Sequence, residues 1–357
     1  RTIVWTRTGS ITSVKLASSL DGGLTYPSVI VASTPGGNLS YAWVVPDAIN
    51  STVRVQVTDV AGVSTGDVSD GNFAIKGSIT LTSPNGGEVW RVGESRSIAW
   101  TRAGSFPNVA LSYSKNGFVD ELQTVVIIAS TAADPLPIDQ AGSYTWTVPD
   151  AISNTVKVRI TDASDASVSD LSNANFTIKG ILTLIAPNGT EKWIVGTAQN
   201  IVWTRAGSIA NVRLRYTTNG TIYTDITAST PNTGSYSWVI PNTTTTTAKV
   251  HLHDVTDASV EDFSDADFRI QAGFTLTAPN GGENWLVGST QTLTWITNGT
   301  VNFVTLAYST DSGLTYPNLI TSSTTNMGNF SWTVPDTVSG TVRVRVGRYC
   351  GGGERPF

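Results

Sequence analysis

The sequence predicts an all-β fold, arranged as a rod-like array of about four β-sandwich repeats. Three observations carry this prediction. Tryptophan recurs in three series along the chain, a segment of alternating apolar and polar residues recurs in each copy, and turn-forming residues separate short apolar stretches.

The tryptophans define the repeat. One series lies in Ile-Val-Trp-Thr-like segments at spacings of 95, 103 and 92 residues, and a second precedes a Pro-Asp or Pro-Asn pair. Both series lie among apolar neighbours, so we predict that they form the repeated cores. These eight residues are Trp5, Trp43, Trp100, Trp146, Trp203, Trp238, Trp295 and Trp332. A third series follows Pro-Asn-Gly turns and is the one most open to exposure: Trp90, Trp193 and Trp285.

The second copy predicts the strands of one unit. Its most regular segment, Val156 to Ile160, alternates apolar and charged residues, which is typical of a half-buried strand. The predicted strands are 79–82, 88–92, 97–101, 109–114, 125–130, 144–148, 156–160 and 175–179. Because 88–92 resumes the first strand after a turn, these segments make about seven short strands in about 100 residues, which is typical of an immunoglobulin-like or fibronectin-like sandwich.

The copies predict domain boundaries. We expect repeats at 1–77, which lacks the first strand, at 78–180, at 181–272, and at 273–357, whose last strand is missing or atypical. Linkers of one to three residues predict a semi-rigid rod. Because the chain opens inside a strand-like segment, we expect that it belongs to a longer array.

The amino-acid composition limits the kinds of molecule that the chain can bind and the compartment in which it is expected. The net charge is -5 and only 14% of residues are charged, which argues against nucleic acid. No apolar run approaches a membrane span. The one cysteine, Cys350, allows no disulfide within the chain and has no neighbouring histidine that would favour a nucleophile. Abundant serine, threonine, asparagine and glycine favour a secreted or cell-surface protein.

The turn motif adds a family resemblance. Pro84-Asn85-Gly86-Gly87-Glu88-Val89-Trp90, followed by Ile98-Ala99-Trp100, resembles the Ig-like domain of the Kre9/Knh1 family, also called the Ser-Thr-rich GPI-anchored family. The match recurs at 187–203, where Thr190 replaces the second glycine, and at 279–295. The resemblance implies an Ig-like fold in an extracellular or cell-wall setting, and it implies no defined catalytic activity.

A second resemblance is local. Residues 19–26 and 309–316 are similar to the Asp-box of sialidases, with tyrosine in place of tryptophan. The resemblance implies a β-hairpin turn that the aspartate caps, and not a sialidase.

Few residues suggest metal chemistry. His251 and His253 lie two apart on a strand and Asp254 follows, so these three could form a small metal site. The alternative, which we favour, is a plain solvent-facing pair, because other copies have Gln56 and Thr58 or Arg159 and Thr161 there. Calcium is possible in the acidic loops that begin at Asp59, Asp162 and Asp254, although turn formation explains them better. Turn capping likewise explains the repeated Glu88, Glu191 and Glu283.

The pattern of recurrence predicts a function without catalysis. Core positions recur while outward positions differ, as a shared fold without a shared active site would leave. We expect a structural stalk, surface-layer or filament component of the cell surface, which self-associates into a fibre when residues 347–357 contact the first repeat of another chain. The alternatives are an array of carbohydrate-binding or adhesin modules, with cell-surface glycan as ligand, and an accessory region of a larger secreted enzyme.

Overall fold

The structure, a computed structural model, describes residues 1–133 and 141–349. These residues form strands, turns and two short 3-10 helices, at Gly36–Asn38 and Glu121–Gln123. The chain divides into two compact units, Arg1–Lys179 and Gly180–Phe357. Cys350 and most of the tail 347–357, to which we assigned self-association, lie outside the described residues.

The first sandwich has seven strands, with one small sheet of β1 and β4 and a larger sheet in the order β3-β2-β5-β6, to which β7 adds by pairing with β5. Its strands are β1 Thr2–Val4, β2 Ser13–Ser19, β3 Ser28–Pro35, β4 Ser40–Ala42, β5 Asn50–Asp59, β6 Gly66–Val68 and β7 Phe73–Ile75.

The second sandwich completes the first unit. Its strands are β8 Ser78–Ser83, β9 Val89–Arg91, β10 Ser95–Ala103, β11 Asn108–Ser114, β12 Thr124–Ala132, β13 Ala141–Thr147, β14 Ser153–Asp162, β15 Ser169–Leu171 and β16 Phe176–Lys179. One sheet has the order β13-β10-β8. The other has the order β12-β11-β14-β16-β9, with β15 on β14.

The third sandwich repeats this topology in the second unit. Its strands are β17 Ile181–Ala186, β18 Lys192–Ile194, β19 Ala198–Ala206, β20 Asn211–Thr217, β21 Tyr223–Pro231, β22 Ser235–Val239, β23 Thr245–Asp254, β24 Glu261–Phe263 and β25 Phe268–Gln271. In the second and third sandwiches β9 pairs with β16 and β18 with β25 in parallel, so a strand near the start of each sandwich lies beside its last strand.

The fourth sandwich has two three-stranded sheets, β26-β27-β30 and β29-β28-β31. Its described strands are β26 Gly273–Ala278, β27 Thr290–Asn298, β28 Phe303–Ser309, β29 Asn318–Thr325, β30 Asn329–Thr333 and β31 Arg343–Arg348. The all-β fold of tandem immunoglobulin-like sandwiches is therefore confirmed. Among the described residues, no helix is long and apolar enough to cross a membrane.

The eight tryptophans assigned to the cores lie buried, with at most 8% of each residue exposed. They occupy equivalent places: Trp100 pairs with Leu81 across β10 and β8, Trp203 with Leu184, and Trp295 with Leu276. The third series is mixed. Trp90 and Trp193 are buried, unlike the expectation, because each ring packs against a core tryptophan and a core phenylalanine. Trp285 is half-buried and packs against Trp332.

Candidate functional site: carboxylate braces, joints and the histidine face

The repeated glutamates cap turns. One carboxylate oxygen of Glu88 accepts a hydrogen bond from the Asn85 amide at 2.7 Å, and the other accepts from the Gly86 amide at 2.8 Å. Glu191 and Glu283 bind the equivalent amides at 2.7 to 2.8 Å. Gly86 adopts a φ of 126°, which a side chain would disfavour, and a Cβ there would lie 2.5 Å from the Cβ of Ala174. Both oxygens of each glutamate are thus engaged in holding the fold.

The acidic loops use their aspartates in the same way. The Asp162 carboxylate accepts from the backbone amide and hydroxyl of Ser164, at 2.8 and 2.7 Å. Asp254 makes the equivalent pair of bonds to Thr256, at 2.8 Å each. Such side-chain-to-backbone bonds stabilise a local turn. These two carboxylates stabilise turns, the role that the sequence favoured over calcium binding.

Two further aspartates brace one sheet against the other. Asp170, on β15, accepts a hydrogen bond from the Leu81 amide on β8 at 2.7 Å. Asp262, on β24, accepts from the Leu184 amide on β17 at the same distance. Each brace satisfies an amide of a strand that belongs to the opposite sheet, so the aspartate ties the two layers together.

A buried serine adds a second brace. The Ser172 hydroxyl donates to the Pro84 carbonyl at 2.8 Å and accepts from the Val158 amide at 3.0 Å. Ser264 makes the same two bonds in the third sandwich, to Pro187 and Val250. In the sequence, only the recurrence of this serine after the alternating strand marks it, and that pattern does not reveal its contact with the opposite sheet.

The joint within the first unit is built from one aspartate. The Asp47 carboxylate, in the turn that follows β4 and Trp43, accepts from the Ser105 amide at 2.9 Å and also from the Ser105 hydroxyl. These bonds hold the pKa of Asp47 below its usual range. Gly104, with a φ of 96°, allows the first and second sandwiches to lie close together, since a Cβ there would lie 3.1 Å from Cδ1 of Ile49.

The joint within the second unit has the same plan. The Asn242 side-chain oxygen accepts from the Thr300 amide at 3.0 Å, and its amide nitrogen donates to the Thr300 hydroxyl at 2.6 Å. Gly299, at a φ of 93°, replaces Gly104. A Cβ on Gly299 would lie 3.2 Å from Val195 of the preceding sandwich. Both joints therefore consist of an Asp or Asn side chain bound to a Gly-Ser or Gly-Thr edge.

The two histidines lie together on one face of the third sandwich. The His251 and His253 ring centroids are 4.8 Å apart, as their spacing on a strand predicts. The His251 ring stacks on Phe263 at 4.2 Å, and its Nε2 lies 2.9 Å from a carboxylate oxygen of Glu261. Because that carboxylate only accepts, His251 Nε2 is the donor.

The solvent-facing expectation for these histidines is wrong. Each histidine is only 8% exposed, because β24 places Phe263 and Glu261 beside them and the Tyr223 ring packs edge-on against His251. Nδ1 of His253 is buried and has no hydrogen-bond partner among the described residues.

Arginines complete the surroundings of the histidine pair. Arg213 and Arg215 lie on β20 directly across from His253 and His251, and both pair with Asp225. Burial lowers the pKa of His251, and the Glu261 carboxylate opposes that shift only in part. Burial, followed by the charge of a protonated His251, lowers the pKa of His253.

The three residues proposed for a metal are not gathered. His251 and His253 are adjacent, whereas Asp254 turns away to cap its own loop. In the described part of the chain, no group of three or more histidine, cysteine, aspartate or glutamate residues is placed to hold a metal ion.

The Asp-box-like turns follow the resemblance. Asp21 accepts from the amide and hydroxyl of Thr25 at 3.0 and 2.6 Å, and Asp311 does the same with Thr315 at 2.9 and 2.5 Å. Hydrogen bonds from Ser19 and Thr25 lower the pKa of Asp21 well below its ordinary value. These aspartates act as hairpin caps.

Comparisons with known proteins return similar tandem folds. No protein-family model matches the chain, and curated proteins give no match. A solved tetra-tandem repeat from the extending region of a large adhesion protein has a TM-score of 0.30 and 16% identity, covering 97% of this chain and 90% of its own. The fibronectin(III)-like modules of Clostridium thermocellum CbhA have a TM-score of 0.19 and 18% identity, covering 54% and 92%. The N-terminal four Ig domains of Dscam1 isoform 6.9 have a TM-score of 0.28 and 10% identity, covering 72% and 66%. At these scores the likenesses carry nothing about ligand or activity.

Proposed function

We propose that this chain is a non-catalytic structural component of the cell surface or extracellular space, where it forms part of a stalk, surface layer or filament. Its working parts are four repeats, bounded near residues 77, 180 and 272, and its role is to span distance and to associate with further copies.

The observation that carries this proposal is where the recurring polar residues act. Glu88 and its equivalents cap turns, Asp170 and Asp262 tie sheets together, and Asp47 and Asn242 bind the next sandwich. The recurring polar residues thus stabilise each sandwich internally and hold it against the next sandwich. An active site needs its reactive groups gathered at one place, whereas these groups recur from copy to copy and are engaged by the backbone.

The extracellular setting rests on sequence. The turn motif resembles that of the Kre9/Knh1 Ig-like domains, whose setting is the cell wall or the outside of the cell. Low charge and a serine- and threonine-rich surface agree with that setting.

The decisive experiment is solution scattering of the full chain, combined with electron microscopy. A single compact globule of this length has a radius of gyration of about 21 Å. We expect a value well above that for an array that spans distance, and a value near it would contradict the proposal. Incubation with a panel of glycans and peptides should release no product. Hydrolysis that one acid-to-amide substitution abolishes would show an enzyme instead.

One cleft favours a second function, glycan binding. On the fourth sandwich, Phe303 and Tyr349 are 50% and 40% exposed, and they line a shallow cleft with Arg348 and Asn302. Exposed aromatic rings can stack on sugars. A glycan array with the wild-type chain and F303A tests this: binding lost in the variant supports the alternative, and no binding by either chain refutes it.

A further inference from the structure

The short strand β24 of the third sandwich is held on two sides. Its one strand partner among the described residues is β23, where it lies across from His251 and His253. Its middle residue, Asp262, accepts the hydrogen bond from the Leu184 amide on β17, in the opposite sheet. Because three consecutive residues make both contacts, β24 cannot leave the histidines without also moving the Asp262 carboxylate.

The outer residues of β24 cover the histidine rings. Phe263 stacks on His251 at 4.2 Å, and a carboxylate oxygen of Glu261 accepts from His251 Nε2 at 2.9 Å. The Nδ1 atom of His253 is buried and has no hydrogen-bond partner in the described part of the chain. Neutral rings fit this covered space, whereas a positive charge on either ring would be separated from water.

The charges around the pair do not compensate a second proton. The titratable and charged groups that face the pair are Arg213 and Arg215 from β20, Tyr223 and Asp225 from β21, Glu261 from β24, and Lys249 from β23 itself. Three of these groups are cations, the Asp225 carboxylate pairs with both arginines, and Glu261 pairs with His251. The pKa of each histidine is lowered, first of all by burial.

We infer that β24 is an acid-released strand: when His251 and His253 take up protons, β24 detaches from β23, both rings reach water, and the Asp262 brace to β17 breaks. Val260 and Ser264, on either side of β24, are 2% and 1% exposed, so both ends of the strand stay anchored in the sandwich. Acid thus loosens one tie between the two sheets while the core of the sandwich remains folded.

The second sandwich has the same brace without the histidines. Asp170, on β15, accepts from the Leu81 amide at 2.7 Å, the distance found in the third sandwich. Arg159 and Thr161 lie across from β15, at the places of the two histidines. Neither residue titrates in the range where histidine does. Release by acid is therefore expected in the third sandwich and not in the second.

The amides of Leu184 and Leu81 report the two braces in one experiment. The full chain is prepared with isotope-labelled leucine, and hydrogen exchange is followed by NMR from a pH of about 7 to about 5, with each rate compared with its intrinsic rate. Each uncovered histidine contributes up to about tenfold per pH unit below about 6.5, so the protection factor of Leu184 should fall about tenfold or more.

The protection factor of Leu81 should change by less than about twofold over the same range, because no histidine lies beside its brace. This comparison also controls for the carboxylates, since protonation of the aspartates would affect both braces alike. Equal changes at Leu184 and Leu81 would overturn the inference.

Urea separates the release of β24 from unfolding of the whole sandwich. Detaching a short strand exposes little surface, so low urea concentrations should leave the exchange of Leu184 unchanged. Leu214, fully buried on the strand β20 between β21 and β23, should exchange through larger openings and respond to urea. If Leu184 has the protection factor and urea dependence of Leu214 at every pH, the sandwich opens as a whole and β24 is not released by itself.

The variant H251Q/H253T tests the histidines directly. It introduces the residue types that the first sandwich has at Gln56 and Thr58, which lie across from β6 in the same register. Leu184 should stay protected at neutral pH in this variant and lose its pH dependence. A pH dependence that persists in the folded variant would overturn the inference. If the variant does not fold, the comparison of Leu184 with Leu81 in the wild-type chain decides.

Discussion

Trp203 allows the packing and hydrogen-bonding contributions of the repeated tryptophan to be separated. The residue is 2% exposed, and its indole N–H donates to the Asn232 side-chain oxygen at 2.6 Å. Asn232 is itself buried and also donates to the Ile209 carbonyl. Trp203→Ala removes both ring and donor and should destabilise the third sandwich by about 3–5 kcal/mol.

Trp203→Phe keeps a ring but leaves the Asn232 oxygen without its donor. That unsatisfied acceptor should cost about 1–3 kcal/mol beyond the loss of ring size. Trp5 provides the control, because its indole nitrogen is buried without a partner among the described residues. Trp5→Phe therefore loses ring size but no hydrogen bond, and it should cost less than Trp203→Phe by about that same amount.

Hydrogen exchange with mass spectrometry is the suitable assay. It reports local opening free energies for each sandwich, whereas a single unfolding curve is poorly defined for a chain with several domains. Amides of β19 and β22 should lose protection in the Trp203 variants, and those of the first sandwich should not. Equal losses for Trp203→Phe and Trp5→Phe, each in its own sandwich, would refute the hydrogen-bond argument.

Three further predictions use the same assay. Lowering the pH from about 7 to about 5 should destabilise the third sandwich, because the pKa values of His251 and His253 are lowered in the folded state. The unfolded chain therefore binds more protons than the folded chain below a pH of about 6.5. Unchanged protection at the lower pH, or an equal loss of protection in H251Q/H253T, would contradict this prediction. Glu191→Ala should lower the free energy of unfolding of the third sandwich by about 1.5–3 kcal/mol, because it removes two charge-assisted hydrogen bonds, and Glu191→Gln should restore part of that loss. If both variants are as stable as the wild type, Glu191 does not stabilise the turn. Asp262→Ala should cost about 1–3 kcal/mol by leaving the Leu184 amide without its acceptor, and protection lost only at β24, with β17 unchanged, would argue against a brace between sheets.

The sequence was most informative where side chains repeat at the period of a strand. In the alternating segment Val156 to Ile160, the three apolar residues are fully buried, as predicted. The predicted strand at 109–114 lies in β11 with a one-residue difference at its start. Such segments are predictable because local burial alone decides which face of the strand each residue takes.

The sequence does not predict two of the short strands. β15 and β24 have three residues each, and both contain an aspartate, so neither periodicity nor propensity marks them. The omission had a consequence for the histidines. Because Phe263 lies on β24, the sequence does not predict that its ring covers His251, and it therefore predicts a solvent-facing pair.

The contacts between neighbouring sandwiches could not be predicted from the sequence for a different reason. Asp47 and Ser105 are 58 residues apart and belong to different repeats. Each has an ordinary local explanation, since aspartate after proline is common in turns and serine after glycine is common in loops. Only their contact across two sandwiches assigns them a joint role.

The parallel pairing of β9 with β16, and of β18 with β25, has a mechanical consequence. In each pair a strand near the entrance of the sandwich lies beside the strand at its exit, running in the same direction. Tension applied through the chain pulls these two strands in opposite senses along their length, so their hydrogen bonds are sheared together instead of opening one after another. Resistance to forced unfolding is set by the unfolding barrier and not by equilibrium stability. The second and third sandwiches are thus arranged to withstand a pull along the chain even where their thermodynamic stability is modest.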